Sequence, residues 1–476
     1  MFKWDVVYGG KTPPPGKAVG PHERLSWGRT IGLGAQHVVA MFGATFVFPI
    51  VMGLDPNLAI LFSGICTILF LLVVKGHVPS YLGTSGSFVA GVTAIRLQGG
   101  DSADVTGAIL VSGLVLALVG VLVHFAGANV LKKVLPPAVT GAVVMLIGFN
   151  LAPVVANVYW PQDQWIALMV AAFVVFATVR FPGFWARISV FLGLVFGYLI
   201  SWFSDEVFGK ITSFSAAANK VTTHDRIDLS GLSQAKWIGL PSMHLRDGVP
   251  AVHGPSISLT FVLLILPAVI ALIAENTGHV RAVAEMTGED LDPYMGRALA
   301  ADGIATALAS TFGASPTTTY AENIGVMSAT RIYSTAAYYV AAFVAIILGL
   351  CPKFGVVVNA IPGGVLGGIT VVLYGMIGLI GAKIWVDNGV SFADPLNMAP
   401  LAAGLIAGIG NVSLKITHSF ELGGIALGTI VVIAFYHLVN VRRTGGPSPA
   451  LASFGDIPPT HEGRRSGDDD PAPASV

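Results

Sequence analysis

The chain has 476 residues, 54% hydrophobic and 11% charged, with a mean hydropathy of +0.75. Soluble domains average about 25% charged residues, so a soluble enzyme is excluded and an all-α polytopic membrane protein is indicated. The formal net charge is zero, which removes the basic surface that nucleic-acid binding needs. Two cysteines, Cys66 and Cys351, lie in or beside apolar runs and indicate neither a disulfide framework nor a cysteine metal site.

Residues 1–26 are polar, contain KTPPPGK, and lack the apolar core of a cleavable signal peptide. Apolar runs near the 20 or so residues needed to span follow at 28–52 and 57–75. The next segment, YLGTSGSFVAGVTAI at 81–95, is too short and broken to span conventionally. Its Ser/Thr/Gly-rich start predicts a short extended strand that turns into a half-helix. Spans resume at 105–126, 137–156, 163–181 and 187–203. Residues 204–255 are polar with both charge signs, and predict a solvated excursion.

The second half repeats the order. Spans are predicted at 256–279 and, shorter and richer in small residues, at 297–313. A second broken segment, FGASPTTTYAENIGVMSAT, occupies 312–330. Spans follow at 334–351, 363–384, 397–412 and 422–441, and the Pro/Gly/Ser-rich tail 442–476 predicts disorder. The sum is fourteen segments in two halves of seven, and an odd number requires the halves to be inverted. Matching interrupted segments in two halves point to a transporter site built from half-helices. With the N-terminus inside, Lys75, Lys132, Lys133, Arg180, Arg187, Arg281, Arg297, Arg331, Lys383, Arg442 and Arg443 fall on cytoplasmic connections, whereas Lys353 and Lys415 are the clear outside cations. This asymmetry predicts both termini cytoplasmic and residues 204–255 extracellular.

Two carboxylates stand out within this apolar frame: Glu275 in LTFVLLILPAVIALIAENTGHV and Glu322 in SPTTTYAENIGVMSATR. An acid at mid-membrane costs roughly 2.5 to 3.5 kcal/mol even on lenient insertion scales, and such residues face cavities that bind substrates, ions or protons. No Lys or Arg lies within 259–280 to neutralise Glu275. His279, four residues on, shares its helix face, near what the apolar run marks as a cytoplasmic helix end; it either handles protons or makes a structural hydrogen bond. Asp302 is a third acid, which either handles protons or satisfies half-helix backbone donors. Gln36 and His37 interrupt the first span, as site groups or as hydrogen bonds between helices. His418 and His437 lie near span ends and read as structural. Backbone N–H groups around Gly86 and Ala321, at the two half-helix starts, lack intrahelical partners and carry the positive dipole ends. Carboxylates that accept and amides that donate suit a small planar solute with both N–H and C=O groups, and a carboxylate in such a site can also exchange a proton. No Walker pattern, HExxH or Ser/His/Asp arrangement is present, so uphill transport would draw on an ion gradient, with no cofactor.

These residues resemble the nucleobase–ascorbate transporter family, also called nucleobase:cation symporter family 2. Glu322-Asn323-Ile324-Gly325 with Thr330-Arg331 matches its signature, (Gln/Glu/Pro)-Asn-x-Gly-x-x-x-x-Thr-(Arg/Lys). AENTGH at 274–279, QHVVAMFGAT at 36–45 and the stretch from Lys75 to Gly83 match other family regions, and the resemblance covers roughly 26–441. Within the family the chain is most similar to bacterial uracil permeases and to pyrimidine permeases of the uracil-degradation (Rut) type, through MTGEDLDPYMGRA, DGIAT and TTYAENIGVM.

The resemblance implies a plasma-membrane homodimer that imports uracil or a related pyrimidine with protons by an elevator-like motion. It implies a core domain from segments 1–4 (27–135) and 8–11 (256–352), moving past a gate domain from segments 5–7 (136–203) and 12–14 (353–441). It places Glu275, Glu322, Gly86, Ala321 and Ala44 at the base. His279, with Glu275, Glu322 and Asp302, would couple protons, and Gln36, His37, Asn323 and Thr330 would support the network. Gly86 stands where uracil permeases often have Phe, which implies a wider pocket. Asp302 resembles an acid of purine carriers, so a purine symporter, favoured by Gly86 and Asp302, is the alternative within the class. An anion exchanger or channel with inverted seven-segment halves is the alternative outside it, although two carboxylates would repel anions.

Overall fold

The computed structural model describes residues 3–14, 16–127, 133, 135–215, 220–241, 245–415 and 421–441. The predicted tail 442–476, with Arg442 and Arg443, lies outside the described residues, as do Lys132 and His418. In chain order the first half runs α1 (Trp27–Met52), α2 (Pro56–Val73), strand β1 (Leu82–Thr84), a 3-10 turn at Gly86–Phe88, α3 (Val89–Leu97), α4 (Ser102–Ala126), α5 (Pro137–Phe149), α6 (Gln164–Arg180) and α7 (Ser189–Phe208). A ribbon of β2 (Ile211–Ser215) and β3 (Lys220–His224) follows. The second half runs α8 (Leu259–Thr287), α9 (Asp292–Thr311), β4 (Thr317–Thr319), α10 (Ala321–Thr330), α11 (Thr335–Gly349), α12 (Pro352–Asn359), α13 (Gly363–Asp387), α14 (Pro395–Ile409) and α15 (Gly424–Val441).

Local chemistry starts these helices. Asp55 accepts the Leu58 N–H at 2.7 Å and Pro56 takes the first turn of α2, where its missing N–H costs nothing. Asp101 and Asp104 form a reciprocal capping box at α4. Among the described residues, seven helical stretches are long and apolar enough to cross a membrane, or eight if the bent pair α11–α12, broken at 84°, counts as one. The other predicted spans are shorter helices or, in α9, a 20-residue helix that is not apolar enough, so length and composition alone do not reach fourteen. Helix α8 corrects one expected boundary. The apolar run ends at 279, but the helix continues to Thr287 and stops at Gly288, whose φ of +71° ends it in the left-handed region. Glu275 therefore sits well inside a helix, three turns before its end.

The bundle is inside-out. Leu114, Leu118, Leu122 and Phe125 of α4 are exposed, while its buried face carries Gly107, Gly113 and Gly120. Small residues let backbones touch where lipid supplies no hydrophobic drive. A Cβ at Gly113 would lie 2.7 Å from the Ala307 nitrogen, and one at Gly303 would lie 2.5 Å from the Gly113 carbonyl oxygen. The most extensive helix contacts are α4 with α9, α5 with α13, α14 with α15, and α2 with α11.

The excursion is anchored at both flanks. Arg226 pairs with Asp163 at 2.7 Å and Asp205 at 2.9 Å, tying it to α6 and α7. Asp247 accepts hydrogen bonds from Arg96 at 2.6 Å and from the Ser102 amide and hydroxyl at 2.7 and 2.6 Å. Burial works to raise the Asp247 carboxyl, but the hydrogen bonds from Ser102 and Arg96 outweigh it and hold the group below the ordinary carboxylate range. A depressed folded value contributes stability above that range and loses it as the pH falls through the folded value. Asp247→Asn is expected to cost about 2 kcal/mol. Thermal melts from neutral pH to below about pH 4 test this: the parent loses stability on acidification, and the variant lacks that part of the loss.

The described residues 3–14 and 16–26 also fold back onto the bundle. Trp4 Nε1 donates to Thr335 Oγ1 at 2.8 Å, and Val19 exchanges backbone bonds with Arg331 and Tyr333 at 3.0 and 2.8 Å.

Candidate functional site

The two broken segments meet. β1 and β4 pair antiparallel, with Leu82 opposite Thr319, Gly83 opposite Thr318 and Thr84 opposite Thr317. Antiparallel pairing of corresponding segments means the two halves run in opposite directions, as the inverted repeat requires. A two-stranded ladder leaves outer backbone groups unpaired, which is untenable at membrane depth without partners. Threonines supply them symmetrically. Thr67 of α2 accepts the Leu82 N–H at 2.9 Å, and Thr306 of α9 accepts the Thr317 N–H at 3.2 Å. Thr306 also donates to the Thr317 carbonyl at 2.9 Å.

Each strand turns directly into its half-helix. Ser85 caps the first by accepting the Ser87 N–H at 3.3 Å. Tyr320 precedes the second and makes no side-chain cap, so the first amides of α10, from Ala321 on, have no intrahelical acceptor. The Tyr320 hydroxyl instead donates to the Thr84 carbonyl at 2.8 Å and lies 3.0 Å from Thr45 Oγ1, locking α1 to both strands. Its ring covers Gly83, where an added Cβ would lie 2.5 Å from it.

Glu322 is the second residue of α10, and Glu275 lies on α8 within electrostatic reach of both Glu322 and Asp302. Neither glutamate takes part in the ion pairs of the described residues. Glu275, His279 and Glu322 are only half-buried and Ala321 is exposed, whereas Asn276, Asp302 and Asn323 are fully enclosed. The acids therefore border an accessible space, backed by a sealed polar layer.

That layer is a hydrogen-bonded relay. Asn276 Nδ2 donates to the Leu272 carbonyl at 2.9 Å and to Asp302 Oδ2 at 2.7 Å, which fixes its amide orientation. Asn276 Oδ1 accepts from the Thr319 hydroxyl at 2.9 Å. With its proton so used, Thr319 Oγ1 accepts from His279 Nδ1, 2.7 Å away. Neutral His279 thus carries its proton on Nδ1 and presents Nε2 as an acceptor. Asp302 Oδ1 is buried with no hydrogen-bond partner.

The remaining predicted residues divide. Asn323 Nδ2 donates to the His37 carbonyl at 2.9 Å and lies 3.2 Å from His37 Nδ1, and the His37 ring packs on Tyr338 at 4.3 Å. The pair clamps α10 to α1. Ala44 is buried on α1, one turn from Phe48. Gln36 and Thr330 line a separate cavity of about 620 Å³ with Lys17, Arg29 and Arg331. Thr330 donates within its own helix to the Val326 carbonyl at 2.9 Å and accepts the Ile332 N–H, and Arg331, at φ +55°, ends α10. Three residues escaped the sequence reading: Asn276, Thr319 and Tyr320. Asn276 was visible only as the middle of AENTGH. At Gly86 the space left by the missing side chain is not empty, because the tip of the Phe48 ring lies 2.6 Å from where a Cβ would stand.

Two half-helices joined through an antiparallel two-stranded ladder in an apolar bundle define a membrane protein of the inverted-repeat class. The chain belongs to the Permease family (Xan_ur_permease), whose model matches residues 28–417. It is 40% identical over 91% of its length, and 94% of the relative's, to the Escherichia coli (strain K12) protein named "Putative pyrimidine permease RutG". It is 34% identical to the uracil permease of Bacillus caldolyticus, covering 91% of this chain and 96% of that one. The uracil permease of E. coli (strain K12) is 33% identical, with 90% and 96% covered. Among solved structures, SLC26A9 superposes with a TM-score of 0.60 at 13% identity, over 87% of this chain and 65% of that one. The transmembrane domain of the cyanobacterial bicarbonate transporter BicA gives 0.53 at 14% identity, over 86% and 96%. At such identities these likenesses concern the fold alone.

Proposed function

We propose that this protein is a proton-coupled symporter that imports uracil or a related pyrimidine base across the cell membrane. The observation that carries this reading is that Glu322 opens the second half-helix while the helix bearing Glu275, within electrostatic reach of it, packs against the starts of both half-helices. A pyrimidine has imide N–H groups for carboxylates and C=O groups for amides, so one ring in its plane uses both. Charge-assisted hydrogen bonds of this kind are roughly twice as strong as neutral ones. The relatives named as uracil and pyrimidine permeases support the same substrate class.

Proton coupling follows from the cost of the acids. Moving charged Glu275 and Glu322 through an occluded state is expensive, and protonation removes that cost. The His279–Thr319–Asn276–Asp302 hydrogen-bond chain holds the His279 proton on Nδ1, so that Nε2 can take up a proton behind the base. We assign α1–α4 with α8–α11 to a moving core and α5–α7 with α12–α15 to a gate, working as an elevator in a homodimer with both termini cytoplasmic. The close packing of α4 on α9 and of α5 on α13 supports two such bodies. The two acids disfavour anion exchange, and the Phe48 ring beside Gly86 weakens one of the two arguments for a purine carrier, leaving the one from Asp302.

The test is uptake of labelled uracil and xanthine into proteoliposomes, with and without an imposed pH gradient. Uracil uptake stimulated by an inward proton gradient is expected, with xanthine a weak competitor. Uptake indifferent to both substrate and gradient would overturn the reading.

A further inference from the structure

Gly86 opens the first half-helix and is buried, and no side chain there fills the space in front of its backbone. Phe48 fills it from another helix. Its ring tip approaches the absent Cβ, with Cζ at 2.6 Å and the two Cε atoms at 2.9 and 3.0 Å. Gly83, three residues earlier, is covered in the same way by Tyr320. The two rings differ in one respect. Tyr320 is held by hydrogen bonds to Thr84 and Thr45, whereas Phe48 has no polar atom to anchor it and is placed by packing alone. Phe48 lies four residues after Ala44, on the same face of α1. Ala44 is small, so that face presents one ring and one gap toward the half-helix start.

We propose that Phe48 is the aromatic wall of the base site and a determinant of its width: α1 supplies across space the ring that position 86 lacks. This rests on the reading of Glu275, Glu322 and the Gly86 amide as the base site. The ring packs against the face or edge of the bound base, while its tip closes the space a second fused ring would enter. The glycine is required in turn. A Cβ at 86 would force the ring tip to move, and the only freedom of that side chain is rotation away from Gly86. Position 48 and position 86 therefore share one volume and are coupled, although one sits on a full span and the other on a broken segment.

The test is a swap in proteoliposomes, reading the KM for labelled uracil and the competition ratio of uracil to xanthine. Phe48→Ala is expected to raise the uracil KM about tenfold, the range of aromatic–base stacking, and to make xanthine a stronger competitor. Gly86→Phe alone is expected to abolish uptake, and Phe48→Ala with Gly86→Phe to restore uracil uptake and selectivity, because the ring returns from the other side. Phe48→Leu is the second variant if Phe48→Ala does not purify as a monodisperse protein. A general packing role would lower uptake of every variant without moving the competition ratio and without rescue in the double variant. An unchanged ratio in Phe48→Ala and Phe48→Leu, or no rescue in a folded double variant, overturns the proposal. Glu322→Gln is run beside them to separate two failures. If it abolishes uracil uptake while the Phe48 variants change nothing, only the wall is wrong; if it too changes nothing, the base site itself is misplaced and the wall falls with it.

Discussion

Glu322→Gln is expected to lower uracil uptake by about 10- to 150-fold while leaving the protein folded. The side chain keeps its length and stays half-buried at the start of α10. What changes is one carboxylate oxygen, which becomes an NH2 donor. A hydrogen bond to a charged partner contributes about 1.5 to 3 kcal/mol, and that loss sets the range given above. The amide can also donate, so residual binding should shift toward bases with an acceptor beside the imide edge, such as the unprotonated imidazole nitrogen of xanthine. Glu275, within electrostatic reach, remains the sole acid of the pair. Labelled-uracil uptake with xanthine competition is the measurement. Wild-type uptake and an unchanged competition profile would end the assignment of Glu322 to the base.

Gly303→Leu is expected to prevent assembly of the bundle. Gly303 lies on α9 where it crosses α4, and a Cβ there would sit 2.5 Å from the Gly113 carbonyl oxygen and 2.8 Å from the Ala117 Cα. Both are backbone atoms, which cannot swing aside as a side chain does. Overpacking costs typically about 1 to 3 kcal/mol where side chains can adjust; here two helices must separate, which breaks the most extensive contact in the structure. Gly375→Leu is the control, because a Cβ at Gly375 of α13 meets nothing within 4 Å. Size-exclusion profiles in detergent should show aggregated or absent Gly303→Leu and monodisperse Gly375→Leu. Two monodisperse variants would contradict the close α4–α9 crossing.

Much of the fold was legible because its signals are local. Each predicted span and both broken segments coincide with a helix or with a strand followed by a helix. Hydropathy reads how much apolar chain is present, and Ser, Thr, Gly and Pro mark where a helix cannot continue. The same measure misplaced the end of α8. Apolarity reports where a chain leaves lipid, not where its helix stops, and the polar turns from Arg281 to Thr287 stay helical until Gly288. Along the chain the 204–255 excursion reads as a solvated loop, yet it holds a β-ribbon and two anchoring side chains, because Arg226 and Asp247 find partners on distant helices.

Glu275 and Glu322 were identifiable from sequence alone, since the cost of an acid in apolar surroundings depends only on the residues beside it in the chain. What the acids work with was decided by tertiary structure. The relay joins His279, Thr319, Asn276 and Asp302 from three elements, and the clamp joins His37 to Asn323 from opposite halves of the chain. Nothing in the spacing of those residues encodes which of them touch. Gly86 shows the difference most directly. Read along the chain it is a missing side chain and a wider pocket; in space the volume is filled by Phe48. A residue's own chemistry is carried in the sequence, but the volume around it belongs to whichever segment the fold brings there.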